Sequence, residues 1–510
     1  MSSAESVRAG RRSFPTIILI PILIFLALGA WAVSSPIGSS PDDDFHLAST
    51  WCGLGDRPGL CEAVPGHADE RSVPYAAAET LCNRTTAAQD ARCSPAEVAK
   101  PHPALVATDR WNHGGQYPRV FYAIQSIFAS PDVAVSVIVM RLFNAALFAG
   151  VGTLLYFLLP TRRRGTLLWM WSVTVVPLGM FLIASNNPSS WAVIAGGSVW
   201  LALVGFFETT GKRMWGLGAV ALGTAVMGAG ARADAAVYVG VAVAAVAVFE
   251  ARRTREYALK CILLAGLLVL ALLLYRSAGQ SGSSGGLVGS HEGSGLSAVG
   301  LLWNNLLDLP GLWSGSLGTW GLGWLDTPMP GVVPMFAIGV FGAALFAGAV
   351  AFSVRKLLAM IVSGFALAAI PSYVLFAGDA IVGKEVQPRY VLPLLIMFAG
   401  FALLDTNGRG LRFTRFQVVA TAVALAAANA AALHVNIRRY ISGLSVEDPN
   451  LNHFVGQWWL GPVSPMVVWV VGTLAFAGAV AIALWSTRVE REEPAELAVV
   501  TDQTAAPITR

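Results

Sequence analysis

Apolar runs of about twenty residues recur along nearly the whole chain, and few architectures can absorb them. They lie at about 14–33, 132–159, 165–184, 190–207, 214–230, 235–250, 257–276, 331–352, 357–377, 390–404, 416–434 and 466–485. Each is close to the length that crosses roughly 30 Å of hydrocarbon. Inside hydrocarbon the backbone must bond to itself, which leaves helices as the economical spanning form for runs of this length. The expectation is an all-α integral membrane protein with about twelve transmembrane helices. Composition agrees, since 55% of the 510 residues are hydrophobic and only 13% charged, against about a quarter charged in soluble domains.

Basic residues test this reading independently of hydropathy. Arg162 to Arg164, Lys212 with Arg213, Arg252, Arg253 and Arg255, Arg355 with Lys356, Arg409, Arg412 and Arg415, and Arg488 with Arg491 fall on alternate loops. Such clusters mark the cytoplasmic side. Both termini are then cytoplasmic, with residues 1–13 inside, a retained signal-anchor helix at 14–33, an outer loop at 34–130, helices two to seven over 131–276, a second outer insert at 277–330, helices eight to twelve over 331–486, and a polar tail at 487–510. Shorter outer loops fall at 378–389 and 434–465. The net charge of +4 is small for this length and lies in juxtamembrane clusters, so nucleic acid is not an indicated partner. The lipid bilayer is.

The unusual residues collect on the outer side, while the inner side reads as little more than basic anchors. Directly after the first run stands Pro41-Asp42-Asp43-Asp44-Phe45-His46. Three carboxylates and a histidine this close to a bilayer carry a heavy desolvation cost unless water, a cation or a polar ligand faces them. A solvated acidic loop is the plain alternative. The same outer loop holds Cys52, Cys61, Cys82 and Cys93, four of the five cysteines, which read as two disulfides, most simply Cys52 with Cys61 and Cys82 with Cys93. Spacing alone admits three pairings, and a zinc site is the weaker alternative because paired C-x-x-C spacing is missing.

Further polar groups stand at the outer ends of other spans: Asn186 and Asn187, Arg232 and Asp234, and Lys384, Glu385, Gln387, Arg389 and Tyr390. Converging, they would make one mixed-charge cavity at the outer leaflet. Lys384 and Arg389, with Arg232, suit a lipid phosphate, although single cations here also snorkel to headgroups. His102, Asp109, Arg110, Trp111, His113, Gln116, Tyr117 and Arg119 form a second polar and aromatic group, suited either to a sugar or to packing of an outer subdomain. Arg141 falls about ten residues into its span, where a cation needs an internal partner, an acid or phosphate by expectation. The insert at 277–330 opens Gly/Ser-rich and closes with Trp303, Trp313, Trp320 and Trp324, a pattern for a mobile half followed by an interfacial or re-entrant helix.

The Pro41 to His46 stretch resembles the P-D-E-x-x-H motif that follows the first helix in a bacterial domain-of-unknown-function family of large multi-pass membrane proteins. Ser185-Asn186-Asn187-Pro188 and Gln387-Pro388-Arg389-Tyr390-Val391-Leu392-Pro393 resemble two further marks of it, the last departing from Q-G-R-Y-x-x-P by one residue. That family is similar in architecture to GT-C glycosyltransferases. The resemblance implies a GT-C-like bundle in the bacterial cytoplasmic membrane. It also implies an extracytoplasmic site that takes a sugar from a polyprenyl phosphate carrier and gives it to an envelope polysaccharide or glycolipid. Asp42 or Asp43 would be the base, His46 would orient it or touch the acceptor, and Lys384, Arg389 and Arg232 would hold the donor phosphate. Asp44, Asn186, Asn187, Asp234, Glu385, Gln387, Tyr390, His102, Tyr117 and Arg119 would line the substrates. Asp43 stands where Glu is usual, which leaves the choice of base open. Mg2+ or Mn2+ bridging Asp42 and Asp43 to phosphate stays open too. A flippase of lipid-linked saccharide or a non-catalytic assembly scaffold are the alternative functions.

Overall fold

A computed structural model describes residues 17–78, 82, 84–93, 104–279, 293–350, 352–383, 386–406 and 413–487. The expected cytoplasmic N-terminus, the tail, the Gly/Ser half of the 277–330 insert, His102, Lys384 and Glu385 lie outside the described residues. The first helix, α1 (Leu19–Val33), is followed by α2 (Asp43–Trp51), strands β1 (Glu62–Val64), β2 (His67–Pro74) and β3 (Leu105–Thr108), and α3 (Arg119–Gln125). Then come α4 (Val133–Leu158), α5 (Thr161–Thr174), α6 (Leu178–Ile183), α7 (Ser189–Glu208), α8 (Gly211–Ala231), α9 (Ala233–Glu250) and α10 (Arg255–Arg276). The last are α11 (Ala298–Ser314), α12 (Val332–Gly348), α13 (Val354–Ala377), α14 (Pro388–Ala402), α15 (Arg415–Ile441) and α16 (Pro465–Ser486).

Among the described residues, eight helices are long and apolar enough to cross a membrane, namely α4, α7, α8, α9, α10, α13, α15 and α16. The apolar helices α1, α12 and α14 are shorter. Two expected boundaries change. The run at 165–184 is broken into α5 and α6, because Pro177 has no N–H to continue the ladder and the chain re-enters helix through Met180 N to Val175 O (2.8 Å). Helix α15 runs on to Ile441, past the expected loop start at 434. Its polar last turns are paired rather than frayed: Asn436 Nδ2 donates to Ser34 Oγ and Ser35 Oγ at 2.8 Å each, and Arg438 donates to the carbonyls of Asp448, Asn450 and His453.

The loop after α1 departs from an all-α reading. Its three strands form an antiparallel sheet in the order β1-β2-β3, with Ser72 opposite Glu62 on one side and Ala107 on the other. Cys52 and Cys61 are bonded, as expected, and tie the end of α2 to β1. Cys82 is also in a disulfide, while the Cys93 side chain expected to pair with it lies outside the described residues. The insert at 277–330 carries α11 and a π turn at Gly315–Thr319, consistent with a helical second half.

Helix α7 is the centre of the bundle. Its sequence is apolar or small all round, and it is buried on every face, packed by α4, α6, α8, α9 and α14. A Cβ at Gly196 would stand 2.6 Å from Pro393 of α14, so glycine there sets how closely the two helices approach. That closeness brings the N-terminal ends of α7, α9 and α14 to one end of the bundle, beside α2.

The opposite ends of these helices carry more than anchors. Arg163 is buried and pairs with Glu208, its Nε 2.9 Å from Oε2, and it also donates to the Asp405 carbonyl. Lys260 donates to Phe207 O (3.0 Å), and Lys356 to Gly348 O (2.8 Å). Helix C-termini leave carbonyls without partners, and a cation there meets both the carbonyl and the negative end of the dipole. The basic clusters are thus partly folded inward as helix caps.

Candidate functional site

The acidic stretch is the start of a helix rather than an open loop. Asp42 takes the left-handed conformation (φ 59°, ψ 25°) at the N-cap of α2, a region Asp tolerates better than most residues. Its carbonyl accepts from His46 N (2.8 Å) and opens the helix, while its side chain swings away from the usual capping bond. Asp43 folds back, Oδ2 accepting from Ser40 N at 3.0 Å, and is fully buried. Asp44 points elsewhere and pairs with Arg110 Nε at 2.5 Å, fastening α2 to the segment after β3.

Neighbouring residues thus sit in opposite electrostatic settings. Burial raises the Asp42 carboxyl, but Arg389 above all, with His46 and Arg110, outweighs it and holds the group below its ordinary value. Burial pushes Asp43 up to about 7 against the pull of Arg141 and the Ser40 amide, with Asp44 and Asp42 adding to the rise. Burial drives His46 down to about 3, opposed by Asp42 and helped by Arg389, Arg232 and Arg110. At neutral pH Asp42 is a carboxylate and His46 a neutral imidazole. Asp43 gives a stability signature. Its folded value lies above the 3.8 of an unfolded chain, so its contribution is complete below 3.8 and is lost as pH rises through about 7. His46 works the other way, because its depressed value in the fold adds stability as pH rises, so the test is a difference: from pH 5 to pH 8 the thermal midpoint in nanodiscs should fall more, or rise less, for wild type than for Asp43→Asn. An Asp43→Asn slope equal to wild type would dismiss the carboxyl as its source.

Across from α2, Arg389 stands at the second position of α14, behind Pro388, with its side chain 5% exposed. Its Nη2 donates to Asp42 Oδ2 (2.7 Å) and to Tyr390 Oη (3.0 Å), whereas its Nε and Nη1 have no hydrogen-bond partner. Asp42 itself is 37% exposed and is the one accessible carboxylate of the three. Arg232, at the corner between α8 and α9, is filled already: Nε and Nη2 grip both oxygens of Asp234 at 2.9 and 2.8 Å, and the guanidinium lies 4.6 Å over the Tyr390 ring. A bidentate pair of this kind leaves little of its fork for a ligand. Gln387 brings a buried, unpartnered Oε1 to the same helix end. The Tyr117 ring stands edge-on to His46, 5.2 Å between centroids, with Arg232 5.8 Å from it.

Several expected ligand-lining residues turn out to build the site. Asn187 Nδ2 donates to Pro41 O (2.8 Å), fixing the residue before Asp42, and Asn186 Oδ1 accepts from Arg141 Nε (2.9 Å). Arg141 was expected to meet an acid or phosphate. Its hydrogen bonds go to the carbonyls of Ala32 (3.0 Å), Ser35 (2.6 Å) and Pro36 (3.0 Å), clamping the turn between α1 and α2, and the Asp43 carboxyl is the acid that feels its charge. Arg119 is exposed at the start of α3. As for the cation option, Asp42 gives Oδ2 to Arg389, Asp43 faces inward and Asp44 is taken by Arg110. Among the described residues no group of three His, Cys, Asp or Glu side chains gathers to hold a metal, so this donor set does not fit a resident divalent ion. Tyr122, whose hydroxyl lies 2.8 Å from His46 Nδ1, is a site residue that the sequence pattern did not mark.

A sequence profile described as "Predicted membrane protein (DUF2142)" matches residues 25–398, from α1 into α14. The chain belongs to the DUF2142 family. The matched span includes both Asp42 and Arg389, so the two sides of the site fall within the part that DUF2142 proteins share. No curated protein matches the chain.

Proposed function

We propose that this DUF2142 protein is an inverting glycosyltransferase of GT-C type, acting at the extracytoplasmic face of the bacterial cytoplasmic membrane. It would move a sugar from a polyprenyl phosphate to a hydroxyl of an envelope polysaccharide or glycolipid. The observation that carries this reading is the buried Arg389 guanidinium, with Nε and Nη1 unclaimed, against the partly exposed carboxylate of Asp42. A buried cation with spare donors is a site for an oxyanion, and a neighbouring carboxylate supplies a base. Beside it, a cavity of about 320 Å³ runs between α9, α13 and α14 and is walled by Val237, Tyr238, Tyr373, Val374 and Val391, with Asp234 and Tyr390 at its polar end. Such walls fit an isoprenoid tail whose phosphate reaches Arg389.

In the reaction the bond between the sugar anomeric carbon and the phosphate oxygen breaks, its electron pair leaving with the phosphate. The acceptor oxygen forms the new bond from the opposite face, and its proton passes to Asp42. Phosphate drawing on Arg389 would weaken the ion pair that keeps Asp42 a poor base, so donor binding itself raises the basicity of Asp42. The rival flippase reading needs a polar path to the other end of the bundle, where Arg163, Lys260 and Lys356 are occupied with helix ends. Purified protein in nanodiscs, supplied with a polyprenyl-phosphate sugar pool and envelope glycan, should release polyprenyl phosphate and label the acceptor. Donor that is never consumed, with lipid-linked saccharide crossing the bilayer of proteoliposomes, would replace this reading with the flippase.

A further inference from the structure

We propose that the groove between α1, α4, α5 and α16 holds one acyl chain of an anionic phospholipid, whose headgroup phosphate is bound by Arg164. The proposal is independent of the transferase reading, since the groove takes in the first turns of α1 whereas Asp42 follows its last.

A cavity of about 180 Å³ lies between these four helices, walled by Ile24, Phe148, Gly152, Tyr156, Trp171 and Ala479. Along α4 the wall runs from Phe148 to Phe157, a distance of about 14 Å at the rise of an α-helix. That is about half of the roughly 30 Å of hydrocarbon, the depth reached by a chain from one leaflet. The hydroxyls of Thr153 and Ser172 in the wall are spent inside their own helices, on Ala149 O (2.7 Å) and Leu168 O (2.8 Å). What the walls present to an occupant is therefore a surface for hydrocarbon.

One end of the groove is charged. The Arg164 guanidinium stands over the ring of Tyr156, 4.9 Å from its centroid. Its two neighbours in the first turn of α5 share one carboxylate: Arg163 pairs with Glu208, and Arg162 Nη2 lies 3.1 Å from Glu208 Oε1. Arg164 has no such share. Among the described residues it makes no ion pair, and its Nε is buried without a hydrogen-bond partner. Three successive cations also face the positive end of the α5 dipole, so an anion is favoured there on both counts. A phosphate whose acyl chain lies in the groove brings that anion to Arg164. The other nearby source is the acidic segment after α16, because Thr487 Oγ1 accepts from Trp169 of α5 (2.9 Å) and Glu490, Glu492 and Glu493 follow. From 488 to 496 that segment offers carboxylates but only Val489 as a sizeable aliphatic side chain, too little to line a groove of this length.

Full-length protein, released for native mass spectrometry from nanodiscs of equal dioleoyl phosphatidylglycerol and phosphatidylcholine, shows which lipid it retains. Wild type should keep phosphatidylglycerol about fivefold over phosphatidylcholine, the effect of about one basic residue at an anionic surface. Arg164→Gln should abolish that preference while a lipid stays bound. Gly152→Leu should lower lipid retention itself: a Cβ at Gly152 meets nothing within 4 Å, so the leucine enters the groove without a clash, and it favours the helix. Both variants should unfold at the wild-type midpoint, which separates lost binding from lost folding. Equal retention of the two lipids by wild type, or a preference that survives both substitutions, would overturn the proposal. So would a preference that emerges only when Glu490, Glu492 and Glu493 are replaced by glutamine, which would assign Arg164 to the acidic segment.

Discussion

Asp42→Asn should lower kcat/KM for sugar transfer by about 10³-fold or more, within the range that a positioned base supplies. The substitution is chosen because the Asn oxygen still accepts from Arg389 Nη2, so the fold around α2 and α14 survives and the loss reports on proton transfer. Arg389→Lys keeps the charge but removes the planar fork and the Nε and Nη1 donors that have no protein partner. It should cost about 10²-fold. Since the two residues touch at 2.7 Å, the double variant should fall well short of the product of the two losses. Asp43→Asn should stay within about threefold of wild type near pH 7, because Asp43 is sealed inside and its bonded oxygen serves the Ser40 amide. Loss of turnover in Asp43→Asn with Asp42→Asn active would pass the role of base to Asp43.

Hydropathy and charge made the membrane helices legible, because a lipid-facing or fully buried helix cannot hide twenty apolar residues. What they could not show was how polar residues inside those helices would be satisfied. Asn186 and Asn187 read as ligand groups from sequence and Arg141 as a cation in need of an internal partner, since a buried polar side chain needs a partner and the sequence names none. The structure supplies protein partners for all three: the Pro41 carbonyl for Asn187, the Arg141 guanidinium for Asn186, and that amide with three carbonyls for Arg141. The carboxylates show the converse. Their cluster at the end of α1 was visible, but three neighbouring Asp residues face three different ways, and only the left-handed turn at Asp42 separates the accessible one from the buried ones. Tyr122 was invisible because α3 is a short helix inside a long polar loop, and its approach to His46 depends on a contact 76 residues apart. The basic clusters mark helix ends in the sequence, but they do not show that Arg163 turns inward to Glu208 and the Asp405 carbonyl, or that Lys356, like Lys260, donates to a carbonyl at a helix end.

Arg141→Met should destabilise the protein by about 3 kcal/mol or more, the cost of stranding several buried acceptors. Methionine keeps the length and the apolar stem but brings no donor to the carbonyls of Ala32, Ser35 and Pro36 or to Asn186. Ala32 belongs to the last turn of α1 and Ser35 and Pro36 follow directly, where carbonyls are left without helical partners and the dipole is negative. A guanidinium meets that need at one point with several N–H groups. An ammonium reaches fewer of the carbonyls, so Arg141→Lys should recover only part of the loss. The consequence extends to the site, because residues 34–41 connect the clamp to Asp42, with Asn187, Asn436, Trp324 and the Asp43 carboxyl as their other polar holds. Limited proteolysis in nanodiscs should therefore find the 34–41 turn open in Arg141→Met before the rest of the bundle unfolds, with transfer reduced in parallel. A wild-type unfolding midpoint together with a protected turn would mean that the Asn residues and the α2 N-terminus hold Asp42 in place without the arginine.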